Sequence, residues 1–84
     1  MLNELTVIGR IKRLDEEANL IKILVENRET SQELVFSISD GIISNLIKYC
    51  EPNGVIGIKG HLEEGLCGVR AVIDKVSILT SKRS

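Results

Sequence analysis

Seven side chains of this 84-residue sequence are candidates to contact a negatively charged ligand. Six are lysines or arginines spread over several predicted strands, and the seventh is the single histidine. They are Arg10, Lys12, Arg13, Lys22, Lys59, Arg70 and His61. Contacts from lysine and arginine to phosphates are independent of base sequence and weaken as salt is added. The alternative is that these are ordinary solvated charges, because acidic residues are interleaved with them.

The sequence predicts no catalytic centre. His61 has no nucleophile or carboxylate that the sequence suggests as a partner. Cys50, His61 and Cys67 offer three zinc-ligand types, but their spacing matches no zinc motif. Gly57 and Gly60 are not followed by the Lys-Ser/Thr of a phosphate-binding loop, and no serine stands in a G-x-S-x-G context. We therefore expect a binding module and not an enzyme, without metal, cofactor or small-molecule substrate.

Length and charge limit the interpretation further. The chain suffices for one domain, expected over residues 1–80 with a short polar tail at 81–84. Eleven basic residues stand against 12 acidic ones, so no global positive charge indicates a nucleic-acid partner, although a local basic stripe can lie on a neutral domain. Phe36 and Tyr49 are the only aromatic residues, and both are expected in the core.

Cysteine usage and the N-terminus bear on the compartment. Cys50 and Cys67 are far apart and are too few for a disulfide scaffold, so we expect both to be buried as small apolar side chains in a reducing compartment. No signal peptide and no apolar run of membrane-spanning length is visible. The expected location is the cytoplasm, with no membrane contact.

Five strands and one short helix are predicted to position these side chains. Runs of β-branched and alternating apolar residues favour strands, and apolar residues three and four apart favour a helix that ends before the Pro-Asn-Gly turn. The strands are predicted over Leu5–Ile11, Leu20–Val25, Leu34–Ser39, Val55–Leu62 and Val69–Leu79, and the helix over Gly41–Cys50 with Asp40 as its N-cap. The segments Asn27–Glu33 and Glu63–Gly68 are expected to be turns or loops.

This element order, with the helix between the third and fourth strands, is that of an all-β, five-stranded OB barrel. Gly9, Gly57 and Gly60 lie inside predicted strands, which suits the sharp bends of a small barrel. A different small α+β sandwich is the alternative. An aliphatic first strand with Val7, Ile8 and Ile11 would form an exposed edge if it were unpaired, so self-association is expected.

Several segments resemble the bacterial single-stranded-DNA-binding proteins. They are the opening Leu5-Thr6-Val7-Ile8-Gly9-Arg10-Ile11, the segment from Gly41 through Leu62 with its Val55-Ile56-Gly57-Ile58-Lys59-Gly60 strand, and the closing Val72-Ile73-Asp74-Lys75-Val76-Ser77-Ile78-Leu79-Thr80-Ser81. The resemblance implies an OB fold, sequence-independent binding of single-stranded DNA, a role in replication, recombination or repair or in a mobile element's DNA metabolism, and a homo-dimer or homo-tetramer assembled through the first strand.

The sequence departs from that family where its members stack bases on aromatic side chains. The family's aromatic position at the end of the third strand corresponds to Ser39, and the shortened loops contain no aromatic residue. We therefore predict binding through phosphates alone. The alternative function is a protein-interaction or structural OB module that has lost nucleic-acid binding.

Overall fold

Five strands and one helix make up the part of the chain that the computed structural model describes, residues 4–26, 29–66 and 68–80. In chain order they are β1 (Glu4–Asp15), β2 (Leu20–Glu26), β3 (Ser31–Ser37), α1 (Asp40–Tyr49), β4 (Val55–Gly65) and β5 (Gly68–Ile78). Within these ranges no helix is long and apolar enough to cross a membrane.

The strands close into a barrel in the order β1-β2-β3-β5-β4. The second half of β1 pairs with β2 and its first half pairs with β4, both antiparallel, so one long strand serves two neighbours. Closure comes from β3 and β5, which run parallel and meet at Ser37 and Val72. With α1 between β3 and β4, this architecture confirms the predicted five-stranded OB barrel.

The first strand is longer than predicted and is not a free edge. It continues to Asp15 because its second half is hydrogen-bonded to β2, and Lys12 is the extra residue of a bulge between Ile11 and Arg13. The condition for an exposed aliphatic edge, an unpaired first strand, is therefore not met. Of its aliphatic residues only Ile8 is largely uncovered, with 62% of its surface exposed.

The third strand and the last hairpin also extend into segments predicted to be loops. β3 begins at Ser31 and ends at Ser37, so it lies three residues earlier at its start than predicted and two earlier at its end. β4 and β5 stay paired out to Gly65 and Gly68. Backbone hydrogen bonds to a neighbouring strand hold these polar segments in an extended conformation. Such pairing cannot be predicted from the amino-acid composition of the segment alone. Residues 27 and 28 of the expected loop lie outside the described residues.

The barrel interior is filled almost wholly by aliphatic side chains. The buried set comprises Ile21, Ile23, Phe36, Ile38, Ile43, Leu46, Cys50, Ile56, Ile58 and Ile73. Phe36 is in the core as predicted, and so is Cys50, whereas Cys67 lies outside the described residues. Tyr49, the other aromatic residue, was predicted to be in the core, but half of its surface is exposed. It lies about 120° around the helix from buried Ile43, and so away from the face that the barrel covers.

The helix begins one residue earlier than predicted. Ser39 is its N-cap, in an extended conformation, and its Oγ accepts a hydrogen bond of 3.4 Å from the backbone N–H of Ile42. Asp40, predicted to be the cap, is instead the first helical residue. Its carboxylate accepts a hydrogen bond of 2.8 Å from the side-chain amide of Asn19, which ties the helix to the β1–β2 turn.

Two strand glycines lie where a neighbouring strand passes too close for a side chain. A β carbon at Gly9 would collide with the side chain of Ile23, and one at Gly60 with the carbonyl oxygen of Val72. These two glycines were expected from the sequence because of sharp bends, and the structure shows that close approach of a neighbouring strand excludes a side chain there. At Gly57 the nearest atom to such a carbon is 3.9 Å away, so crowding does not account for that glycine.

Candidate nucleic-acid interface

Three strands bring most of the predicted cations onto one outward surface. Because Ile21 and Ile23 point into the core, the alternate residues of β2 point outward, and Lys22 among them pairs with Arg13 of β1 and Val35 of β3. Arg10 pairs with Leu24 in a neighbouring row of the sheet. We call this surface the β1–β2–β3 face, and its members are Arg10, Lys12, Arg13, Leu20, Lys22 and Val35.

The cations of this face differ in how far they are already engaged. Lys22 is 3.4 Å from a carboxylate oxygen of Glu33, with both side chains about half exposed, so solvent screens the pair. A guanidinium nitrogen of Arg10 donates a hydrogen bond of 2.8 Å to the carbonyl oxygen of Asn53, in the turn before β4. Lys12 and Arg13 have no ion pair or hydrogen-bonded side-chain partner among the described residues. These two are the most available to an incoming phosphate.

The pairing of Arg13 with Lys22 places two positive charges directly opposite each other across the sheet. Like charges at such positions destabilise a sheet by a few tenths of a kcal/mol up to about 1 kcal/mol. Glu33 offsets the repulsion only in part, through one screened contact with Lys22. An anion bound between the two side chains would relieve this repulsion.

Exposed aliphatic side chains lie beside these cations. Leu20 and Val35, together with Arg13 and Lys22, line a shallow depression of about 180 Å³ on the outer side of β2. Val35 is 50% exposed, which is unusual for a valine in mid-strand. Flat aliphatic surface of this kind can pack against a base, but it lacks the π-face on which aromatic platforms stack bases.

Leu20 and Val35 were not predicted from the sequence to be parts of a site. The available signal was the alternation of β3, in which Val35 falls on the same side as Ser37, opposite buried Phe36. An apolar residue on the polar side of a half-buried strand is out of pattern. Ser39, taken as the position of a missing aromatic, is the helix N-cap and lies beyond the end of β3.

Lys59 lies on a different part of the barrel from the β1–β2–β3 face. It points outward from β4, where its direct partners are Thr6 of β1 and Lys75 of β5. Lys75, which sequence analysis did not single out, therefore forms a second pair of like charges across the sheet. Neither lysine has an ion pair among the described residues. Ile8 and Leu79, both exposed, help to line the depression next to them.

His61 and Arg70 are engaged with carboxylates. The imidazole Nδ1 of His61 is 2.7 Å from a carboxylate oxygen of Asp74, and its Nε2 is 2.8 Å from one of Glu63. A guanidinium nitrogen of Arg70 donates a hydrogen bond of 3.1 Å to the other oxygen of Glu63. Both residues stay predictions as contacts to nucleic acid, and both would have to leave these partners to reach a phosphate.

The same contacts shift the pKa values of His61 and Glu63. Hydrogen bonds from the imidazole to the carboxylates of Asp74 and then Glu63 raise the pKa of His61 above its usual 6.5. The hydrogen bond with His61, and then that with Arg70, lowers the pKa of Glu63 below its usual 4.5. A protonated imidazole that bridges two carboxylates explains both directions.

The arrangement offers little to a metal ion. Among residues 4–26, 29–66 and 68–80, no group of three or more His, Cys, Asp and Glu side chains is placed to hold one. Cys67, weighed above as a ligand together with Cys50 and His61, lies outside the described residues.

Known proteins resemble this chain in structure and not in sequence. No protein-family model and no curated protein sequence matches it. The mitochondrial single-stranded DNA binding protein Rim1 from S. cerevisiae superposes with a TM-score of 0.80 at 12% identity, covering 100% of both chains. An OBody, NL8, bound to hen egg-white lysozyme superposes with a TM-score of 0.64 at 18% identity, covering 94% of this chain and 96% of that one.

A component of the S. pombe Stn1-ten1 complex is also similar, with a TM-score of 0.58 at 17% identity over 93% of this chain and 59% of that one. Identities this low show a shared fold and nothing finer. The resemblance to the bacterial single-stranded-DNA-binding proteins in particular stays a prediction. The strand order of the barrel, the position of the helix and the structural similarity agree on the architecture. This chain is an OB-fold barrel.

Proposed function

We propose that this protein binds single-stranded DNA without sequence preference through the β1–β2–β3 face. The observation that carries the proposal is the outward pair Arg13 and Lys22, set beside unpaired Lys12 and the exposed aliphatic side chains of Leu20 and Val35. The strand 2–3 surface is also where OB folds commonly bind oligonucleotides. The structural likeness to a mitochondrial single-stranded DNA binding protein supports the same function.

The chemistry of the face determines the kind of binding. Guanidinium and ammonium groups contact phosphate oxygens and release condensed counterions, so affinity falls steeply as salt rises. Leu20 and Val35 cover part of a base but offer no hydrogen bonds to its edge. Binding of this type is tolerant of sequence and weaker for each base than aromatic stacking.

The wider role follows from that activity. A sequence-tolerant single-strand binder protects DNA opened during replication, recombination or repair, or during the DNA metabolism of a mobile element. We propose a cytoplasmic, non-enzymatic protein that acts by occupancy of the strand. Support for action by occupancy of the strand comes from the DNA-binding function named for its structural neighbour.

We also propose that the protein is a homo-dimer or homo-tetramer. Because β1 is paired on both sides, association does not depend on an unpaired edge. It depends on Ile8, whose side chain stands over Gly57, a partner without a side chain to cover it. Leu79 adds exposed apolar surface to the same depression. Covering these side chains with a second copy removes apolar surface from water.

Polarisation of a labelled oligo-dT strand at about 50 mM salt tests the DNA-binding proposal. The wild type is expected to bind, and Arg13→Ala to bind more weakly. Arg70→Ala is the matched control, since it removes the same charge from a guanidinium already held by Glu63. A smaller loss of affinity for Arg70→Ala than for Arg13→Ala supports binding at the β1–β2–β3 face. Equal losses would mean that only the net charge of the protein matters.

A protein-interaction module is the second candidate. The observation that favours it is the similarity to an OBody bound to lysozyme, an OB barrel whose ligand is a protein. Exposed Leu66 and Val69 at the β4–β5 hairpin would suit such a role. In that case the oligo-dT experiment shows no binding by the wild type.

A further inference from the structure

A groove between α1 and β5 lies outside the β1–β2–β3 face. Its volume is about 480 Å³, within the usual range of ligand pockets. Apolar side chains from both elements form its floor, and a tyrosine and a lysine stand on its walls. They are Ile42, Leu46, Val76 and Ile78, with Tyr49 and Lys75 above them. The groove therefore combines an apolar floor with one aromatic ring and one cation.

Among tyrosine, phenylalanine and tryptophan side chains, Tyr49 is the only one whose ring a ligand can reach in this protein. The sequence has one tyrosine, one phenylalanine and no tryptophan, and the phenylalanine, Phe36, is buried in the core. Half of the surface of Tyr49 is exposed, and the Nζ of Lys48 lies 5.3 Å from the centre of its ring. A lysine held at a ring by cation–π attraction places positive charge beside a stacking surface.

The charges around the groove favour a polyanion. Lys75 has no ion pair among the described residues, and its direct partner across the sheet is Lys59, so the positive charge continues from the groove onto β4. Asp74 also lines the groove, but its carboxylate is bound to the imidazole of His61. The cations near the ring thus remain available to phosphates.

We propose that this groove is a second contact site for single-stranded DNA, in which one base stacks on Tyr49 while neighbouring phosphates contact Lys48 and Lys75. Asn45, on the wall of the groove, presents an amide that can donate to or accept from a base edge. The inference rests on the proposed function and deepens it. It supplies the aromatic stacking that the β1–β2–β3 face lacks.

The composition of the chain makes this site directly observable. With one tyrosine and no tryptophan, the intrinsic emission of the protein comes from Tyr49 alone. Oligo-dT is titrated into the full chain, and tyrosine emission, corrected for absorption by the oligonucleotide, is followed beside polarisation of a labelled strand. We expect quenching of Tyr49 that follows the polarisation curve. Binding seen by polarisation with unchanged emission would overturn the second site and leave the proposed function intact.

Variants separate stacking from other causes of quenching. Tyr49→Leu should weaken oligo-dT binding by at least about fivefold, the lower end of what one stacked base contributes. Tyr49→Phe, which keeps the ring, should bind within about twofold of the wild type. Ile47→Ala is the matched control, because Ile47 is an exposed apolar residue of the same helix outside the groove lining, and it should bind like the wild type.

Charge and ligand class provide the remaining tests. Lys75→Gln should flatten the dependence of log affinity on log salt by about 0.7, the value for one lost phosphate contact on a single strand. Tyr49→Leu with unaltered affinity, or an acidic peptide that quenches emission where oligo-dT does not, would overturn the proposal. A wild type that binds no oligo-dT in either measurement would overturn this inference together with the proposed function.

Discussion

Arg13 of β1 and Lys22 of β2 are direct cross-strand partners on adjacent strands of the barrel, and both side chains point outward. Stability alone disfavours this pairing, since like charges opposite each other in a sheet repel. The β4–β5 ladder repeats the arrangement with Lys59 and Lys75. Functional sites are where local rules for stability are most often broken. Both pairs are accounted for if a strand of phosphates lies over them.

Removing one charge of the first pair should separate stability from binding. Arg13→Gln relieves the repulsion and breaks no ion pair, since none involves Arg13 among the described residues. We expect the free energy of unfolding to stay constant or to rise by about 0.2–1 kcal/mol, measured by urea denaturation. Affinity for oligo-dT should fall in the same variant. A clear loss of stability would show that Arg13 has a structural role.

An aromatic residue placed on the β1–β2–β3 face should strengthen binding. Val35→Trp puts a ring beside Lys22 on an outward, half-exposed position, and one stacked base contributes about 1–3 kcal/mol. Ser39→Trp is the contrasting variant, because it removes the helix N-cap at a cost of about 0.5–2 kcal/mol of stability. Polarisation and thermal unfolding measure the two effects. If Val35→Trp leaves affinity unchanged, bases do not pass over this face.

The network around His61 predicts a dependence of stability on pH. The pKa of His61 is raised in the folded state, so its contribution is complete below 6.5 and is lost as pH rises through the raised value. The pKa of Glu63 is lowered, so its contribution is present above 4.5 and is lost as pH falls through the lowered value. Glu4, the cross-strand partner of His61, adds a further negative charge nearby.

The Tm of the wild type and of His61→Gln, compared across pH, tests this network. The difference between them should be largest between pH 4.5 and 6.5, where imidazolium and carboxylates coexist, and should shrink as pH rises further. A difference that is constant with pH would mean that His61 contributes by packing and not by charge.

Self-association should depend on Ile8. We expect the wild type to sediment as a dimer or larger, and Ile8→Glu to sediment as a folded monomer, because a charge on this exposed side chain resists burial. Val69→Glu is the matched control, since Val69 is equally exposed but lies on the β4–β5 hairpin. Val7→Glu should instead destabilise the fold, because Val7 packs against the core. A monomeric wild type would contradict the proposal.

The fold could be predicted from the sequence because its elements carry strong periodic signals. Alternation around Phe36 and the helical spacing of Ile43, Leu46 and Cys50 predicted the order of strands and helix. Few folds have that order of elements. The ends of the strands were harder to predict from the sequence. The polar segments next to Ser31 and Gly65 are strands because a neighbour pairs with them, and pairing between distant segments is not visible in local composition.

The candidate site could be predicted only in part. Residue type identified Arg13 and Lys22 as cations, but their direct opposition follows from a bulge at Lys12 that shifts the register. Lys75 was missed because its position opposite Lys59 depends on a second bulge in β5. Tyr49 was placed in the core because it lies next to the apolar stripe of the helix, and only the tertiary packing shows which side of that stripe is covered.

The salt dependence of oligo-dT binding tests the central claim most directly. Each phosphate contact on a single strand contributes about 0.7 to the slope of log affinity against log salt, so the four cations Arg10, Lys12, Arg13 and Lys22 predict a slope of about −3 or steeper. Polarisation at several salt concentrations measures it, and Arg13→Ala combined with Lys22→Ala should flatten the slope by about 1.4. Absence of binding at about 50 mM salt, or tight binding with a slope near zero, would contradict phosphate-based binding of single-stranded DNA by this barrel.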